Sequence, residues 1–344
     1  MKWILFLLTS LTSVNLYDAT QNEKEAVCFI YHRFGDSRYP STNVSVKDFE
    51  SHLKYLVEND FQVVTFSDAI SYLQSEQPAK KTAVITVDDG YKGFFTHALP
   101  LLKKYKVPAT LFINTKTVGG GDYMSWNELR DVVKDDIEIG NHTHSHEYFL
   151  NLPESSRYKT FKGEIDLSQS IIKKNLDVEP IVFSYPYGEF DVEMKKIVKQ
   201  AGFVAAAAQN SGVMYAGSDM FQCPRFPISE SYASLKQFAE KASMHALQPS
   251  DLSPETFVLK GQNPPVLTLT LTRENLDLKQ LQCFVQGGEC EVQVLKNGDE
   301  GTTLSLRARK PLGLRRRTLY TLTLRDKHGQ WYWFSHLWIN PGIP

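Results

Sequence analysis

Residues 83–95 read AVITVDDGYKGFF. The apolar run from Ala83 to Val87 leads directly into two adjacent carboxylates, Asp88 and Asp89, and then a glycine. A short run of this kind, closed by a turn signal, is the pattern of a strand covered on both faces in a parallel sheet. Packing gives such a strand no reason to end on paired acids. In parallel βα folds the groups that do chemistry gather where strands give way to loops, so the stretch bears on both the fold and the site.

The same alternation extends on either side. From Ala26 to about Ala246 the strand-like runs AVCFIYH, FQVVTF, TAVITVDD, PATLFI, IEIGNH, PIVFS and FVAAAAQ alternate with helical patterns. Ser45 caps a helix that spaces Phe49, Leu53, Leu56 and Val57 along one face. SDAISYLQS reads as a short helix capped by Ser67, and SQSIIKKNL as another. Repeated βα units predict a parallel sheet, and this number of them predicts closure into a barrel. Leu247 to Thr256, LQPSDLSPET, has the proline and serine content of a linker. After it the runs VLTLTLT, CFVQ, CEVQVLK, TTLSLRAR, LYTLTLRD and YWFSHLWI alternate apolar with polar and are separated by Gly287-Gly288 and Asn297-Gly298 turns. The expected organisation is a signal peptide or anchor at 1–22, an α/β barrel domain at 23–248 and a small all-β, sandwich-like accessory domain at 249–344.

The chain has 344 residues and a formal net charge of -1, which gives no electrostatic reason to expect nucleic acid as a partner. One basic run, LRRR at 314–317, reads as a solvated loop or hairpin tip. At the N-terminus Lys2 precedes an apolar run, Trp3 to Leu8, and then small and polar residues, as in a secretory signal peptide. The run is shorter than the roughly 20 apolar residues that span a bilayer, and no other segment would cross one. The chain is therefore expected to be exported. Four cysteines fit that compartment. Cys283 and Cys290 flank a hairpin-like segment and are candidates to pair, and Cys28 reads as a buried small hydrophobe.

The strand ends carry a consistent set of polar groups. His32 follows AVCFIY, Asp88 and Asp89 follow AVITV, and His142, Thr143, His144, Ser145 and His146 follow IEIGN. Tyr185, Pro186, Tyr187 and Gly188 follow PIVFS. A lone DDG is usually a turn, and a lone histidine is more often structural than functional. Together at the ends of successive strands, one carboxylate and two imidazoles form the ligand set of a catalytic zinc with an open position. The second carboxylate is then free to act as a base toward water.

TVDDGY, GNHTHSH and YPYG, in this order, resemble the NodB-like polysaccharide deacetylases of carbohydrate esterase family four. The resemblance covers about Ala26 to Ala246. It implies a deformed (β/α) barrel and metal-dependent hydrolysis of N-acetyl groups on an N-acetylhexosamine polymer such as poly-N-acetylglucosamine, peptidoglycan or a chitin-like chain. Carried over motif by motif, Asp88 is the general base, and Asp89, His142 and His146 bind a divalent metal, zinc with cobalt or nickel as alternatives. Pro186, Tyr187 and Gly188 form the turn whose Tyr187 N–H helps hold the oxyanion. His144 has no assigned role and is expected to point away. Where the family often has an arginine that orients the base, this chain has Ser184. Arg225, in CPRFPIS, either supplies the missing guanidinium or is structural. The sequence YHRF resembles the poly-N-acetylglucosamine deacetylases, in which the last family strand is moved to the front, and this makes His32 the general acid.

Trp126 is a candidate sugar-stacking residue or a core tryptophan. Tyr39 and Asp36 either contact sugar or shape the loop after His32. Trp331, Trp333 and Trp338 form a carbohydrate face or a core strand. Two other readings fit the same residues: an O-acetyl esterase on a plant-type polysaccharide, and a non-catalytic glycan-binding protein on a decayed barrel.

Overall fold

The computed structural model describes residues 24–272, 276–313 and 315–343, so the stretch read as a signal peptide or anchor lies outside the described residues. The largest sheet has nine strands. Its main path runs Val213–Tyr215, Glu25–Tyr31, Thr82–Asp89, Ala109–Ile113, Ile137–Asn141, Val182–Ser184 and Ala205–Ala207. All neighbours on this path are parallel except the Val213–Tyr215 pairing. The opening stretch supplies the central strand, with Val27–Tyr31 aligned against Ala83–Val87.

Side chains alternate across this sheet. Phe29, Ile85 and Leu111 join the outer core under the helices, and Cys28, Val84 and Phe112 join the inner one. Thr86 and Asp88 share the parity of Val84 and face inward. The ring is closed by an irregular segment that follows Ala205–Ala207. The Cys223 N–H donates to Ala206 O, the Ala208 N–H donates to Cys223 O, and Phe226–Pro227 pairs with Phe29–Ile30. The result is a deformed (β/α) barrel, with Arg225 in the closing segment.

The helices follow the sequence pattern with two corrections. The cap of helix Phe66–Gln74 is Thr65, not Ser67: its extended backbone precedes the helix and its hydroxyl accepts from the Asp68 N–H. The helix containing SQSIIKKNL spans Glu154–Leu176, 23 residues. Its buried positions, Phe161, Ile165, Ser168, Ile172 and Leu176, keep helical spacing, but the polar first turns and Ser168 hide the stripe from hydropathy.

Two four-stranded sheets follow, packed face to face around Leu267, Leu269, Leu304, Leu306, Leu322 and Leu324. The stretch read as a linker is not free. Pro249–Ser253 is a strand on Val266–Leu271, and His245–Ala246 pairs with Tyr332–Trp333. Proline lacks a backbone donor and is tolerated at the start of an edge strand, which explains how a linker-like composition forms one. Cys283 and Cys290 form a disulfide, and Cys28 and Cys223 are buried free thiols. Trp338 is core, whereas Trp331 and Trp333 line an open groove of about 770 Å³ with Phe284.

The LRRR reading is overturned at Arg316 and Arg317, while Arg315 is exposed. Arg316 is 6% exposed. It makes a bidentate ion pair with Glu189 at 2.7 Å to both oxygens. Arg317 donates to the Tyr187 carbonyl at 2.7 Å. These arginines join the second sheet pair to the barrel mouth.

Two glycines test the packing. A Cβ on Gly140 would lie 2.2 Å from the Phe112 ring, whereas one on Gly163, in the long helix, meets nothing within 4 Å. Gly140→Ala is expected to lower stability by about 1–3 kcal/mol, and Gly163→Ala to raise it by about 0.4–1 kcal/mol. Urea unfolding of both variants checks this, and equal effects would contradict it.

Candidate metal and catalytic site

Asp88 is the last inward-facing residue of its strand and is completely buried, as is Arg225. The guanidinium meets the carboxylate with two parallel bonds, Nη1 to Oδ1 at 2.7 Å and Nη2 to Oδ2 at 2.8 Å. Arg225 is held in turn. Its Nε donates to Ala208 O, Nη1 to Thr86 Oγ1 and Nη2 to Ser184 Oγ. The Ser184 hydroxyl donates to Asp88 Oδ2 at 3.1 Å. The serine at the family's arginine position thus sits in the same network as an arginine arriving from another element. Burial, the largest single influence, raises the Asp88 carboxyl; Arg225, His142 and His32 together outweigh it, and the carboxyl lies well below the usual carboxylate range.

Asp89 faces the other way and has φ 75°, followed by Gly90 at φ 78°. This left-handed pair swings the Asp89 carboxylate over the mouth. Asn114, at the end of the neighbouring strand, has its amide 3.4 Å from Asp89 Oδ1.

The His142–His146 loop is wound by its own polar groups. Asn141 Oδ1 accepts the Thr143 N–H, the Thr143 hydroxyl accepts the His146 N–H, and Glu164 accepts both the N–H and the hydroxyl of Ser145. Thr143 and His146 take φ of 66° and 57°. His144 is turned onto Thr115, 2.8 Å from its hydroxyl. The outer two histidines converge, with His142 Nε2 and His146 Nε2 3.1 Å apart. Their distances to Asp89 Oδ1 are 3.6 Å and 3.4 Å.

The chemistry of these donors decides what they fit. His142 Nδ1 lies 2.7 Å from the Ser184 carbonyl, which only accepts, so Nδ1 carries the proton and Nε2 presents a lone pair. Burial pushes both His142 and His146 down to about 4, leaving them neutral near pH 7. Two imidazoles and a carboxylate oxygen, all within 4.8 Å of one another, form the one group of this kind among the described residues. Ligands about 2.0–2.1 Å from a tetrahedral zinc lie about 3.3 Å from each other. The observed separations match, so the residues present fit a divalent cation.

Pro186–Gly188 forms a tight turn above the histidines, with Tyr187 at φ 58°. Its ring lies 4.4 Å from His146 and stacks on Tyr148 at 3.7 Å. His32 follows the first strand and is near enough to act electrostatically on both Asp88 and His146. Asp36 and Tyr39 shape the next loop: Arg33 pairs with Asp36 and lies 3.8 Å over the Tyr39 ring and 3.6 Å over Tyr91. Trp126 begins helix Trp126–Val132 and packs half-buried against the outer core.

The sequence reading had no role for Asn141, Glu164, Arg316 or Arg317. The first two act through hydrogen bonds, to the loop and, for Asn141, also to Ile165 and Gln169 of the long helix, which leave no spacing signature. The arginines had a signal, a basic run, but it was read as solvated.

Residues 75–206 match the polysaccharide deacetylase family. A poly-β-1,6-N-acetyl-D-glucosamine N-deacetylase of Staphylococcus aureus is 28% identical over 215 residues, covering 59% of this chain and 73% of that protein. Among solved structures, IcaB from Ammonifex degensii is 28% identical with a TM-score of 0.57, over 64% of this chain and 98% of that one. Streptococcus pyogenes deacetylase PplD in complex with acetate is alike in fold, with 18% identity and a TM-score of 0.59 over 64% of this chain and 99% of that one.

Arg225→Met is expected to cost about 3–5 kcal/mol of metal-free stability near pH 7, because it leaves a buried carboxylate unpaired. In the native chain the Asp88 carboxyl is held below its usual 3.8. Its stability contribution is therefore complete above that value and is lost as pH falls through the lower folded value. Without the guanidinium, burial raises the carboxyl instead, so the deficit narrows as pH falls toward 4 and the neutral acid forms. Urea titrations at both pH values check this, and a deficit that widens toward pH 4 would contradict it.

Proposed function

We propose that this chain, of which residues 75–206 match the polysaccharide deacetylase family, is a hydrolase that removes N-acetyl groups from an N-acetylhexosamine polymer, poly-β-1,6-N-acetylglucosamine foremost, with a divalent cation, zinc, held by Asp89, His142 and His146. The observation that carries the reading is the convergence of these three donors beside a separate, buried, arginine-paired Asp88. The choice of polymer rests on the 28% identity to the S. aureus enzyme. Export is part of the same proposal. The Cys283–Cys290 disulfide suits an oxidising compartment, and no described helix is long and apolar enough to cross a membrane. The assignment of residues 23–248 as the catalytic domain and 249–344 as a second domain is likewise proposed.

The residue roles are part of the same proposal. Asp88 takes a proton from the attacking water. A carboxylate held this low is a weak base, matched only to an acidified water, and that acidity, with polarisation of the acetyl carbonyl, is what the cation supplies when bound. Arg225 and Ser184 keep Asp88 ionised and fix its orientation. The Tyr187 N–H meets the negative charge that develops on the carbonyl oxygen. As the carbon–nitrogen bond breaks, His32 gives a proton to the departing sugar amine. Acetate and a free glucosamine residue result. Trp126, packed on the core, is assigned no sugar contact in this scheme.

Acetate release from acetylated β-1,6- and β-1,4-glucosamine oligomers, peptidoglycan and acetylxylan, with and without chelator, tests the reading. Release from the β-1,6 oligomer that chelator abolishes supports it. Release from acetylxylan alone would make the chain an O-acetyl esterase, and binding without release a glycan-binding protein. Asp88→Asn is expected to keep one cation per chain and lose about 10²–10⁴-fold in kcat, whereas Asp89→Asn and His146→Ala lose the cation. Near wild-type turnover in Asp88→Asn would contradict the base assignment.

A further inference from the structure

The basic run at 314–317 is the feature that the catalytic scheme leaves unused. Arg317 opens the strand Arg317–Arg325 of the second sheet pair and lies outside the 75–206 match. Its Nη1 donates to the Tyr187 carbonyl at 2.7 Å, and its guanidinium lies 5.7 Å from the Tyr187 ring. Arg316 holds the other side of the same turn. It is paired bidentately with Glu189, is bonded to Asn151 Oδ1 and Ile343 O, and lies 4.1 Å over the Tyr148 ring on which Tyr187 stacks. Arg316 and Glu189 are both buried.

This grip falls on a backbone that needs holding. Tyr187 is a non-glycine residue at φ 58°, a region that a bulky side chain rarely occupies unless its surroundings impose it. Within the turn, the Gly188 N–H donates to Tyr185 O and the Glu189 N–H to Pro186 O. Neither bond engages the Tyr187 carbonyl, and Arg317 takes that role from a distant part of the chain. Fixing the carbonyl of a residue in a tight turn also fixes where its N–H points.

We propose that Arg317 is a positioning residue for the deacetylation. By holding the Tyr187 carbonyl it aims the Tyr187 N–H at the oxyanion, with the Arg316–Glu189 pair as its anchor. The second sheet pair is thus part of the catalytic apparatus rather than a tethered accessory. The proposal rests on the hydrolase reading above.

Arg317→Met and Arg317→Lys, loaded with zinc, are compared with the wild-type chain on an acetylated β-1,6-glucosamine hexamer. Arg309→Ala, at an exposed arginine just past the strand Gly301–Ala308, is the control. The expected result for Arg317→Met is a kcat lowered about 10–100-fold, the scale of a small misplacement of a catalytic group. Its KM stays within about threefold, its cation content at one per chain and its thermal midpoint near wild type. Lysine, which still offers a donor, recovers part of the loss, and Arg309→Ala has no effect. Hydrogen exchange adds a readout independent of turnover: peptides covering residues 182–190 exchange faster in Arg317→Met. A wild-type chain that turns over while Arg317→Met keeps its kcat and its exchange pattern overturns the positioning role alone. A wild-type chain that releases no acetate overturns the hydrolase reading, and the exchange comparison still decides whether Arg317 holds the turn.

Discussion

The buried pair between Arg225 and Asp88 is the interaction on which the rest depends. It takes two charges fully out of water, which is tolerable only when the partners are bidentate and their remaining valences are met. Thr86, Ser184 and the Ala208 carbonyl meet those of Arg225. Arg225 belongs to the irregular segment that closes the barrel, and Asp88 ends one of its inner strands. One contact therefore joins barrel closure to the ionisation and aim of Asp88, the proposed base. A chain that failed to close its barrel would not orient Asp88.

Around that fixed point the mouth is built from backbone held in uncommon conformations. Asp89, Thr143, His146 and Tyr187 all have positive φ without being glycine. Each stands at the mouth, at or just beyond a strand end, and each is restrained by a different partner: the Asn114 amide, the Asn141 carboxamide, the Thr143 hydroxyl and the Arg317 guanidinium. Such conformations cost of order 1–3 kcal/mol each and persist only where the surroundings impose them. The large core under the helices and the second sheet pair supply that rigidity.

The fold and the reactive groups were legible in the sequence for different reasons. Continuous apolar runs such as Ala83 to Val87 report strands covered on both faces. Acids and histidines directly after them report the mouth, because packing gives no other reason for them there. Arg225 was legible only as one of two readings, since an arginine in a loop looks the same whether its head reaches a buried carboxylate or water. Arg316 and Arg317 were misread for that reason: composition marks a basic run but not its burial. Asn141 and Glu164 stayed invisible because their work is hydrogen bonding, to the loop and to the long helix, which any polar residue pattern permits. The Pro249–Ser253 strand was hidden by its proline, and the first half of helix Glu154–Leu176 by its polarity.

The central claim is that Asp89, His142 and His146 together hold one divalent cation while Asp88 stays outside its coordination shell. X-ray absorption fine structure of the zinc-loaded chain tests it most directly, compared with Asp88→Asn. The account predicts two imidazole nitrogens and carboxylate oxygen at about 2.0–2.1 Å, in spectra that are the same for both proteins. Sulfur in the shell, fewer than two imidazoles, or a shell altered by Asp88→Asn would contradict it.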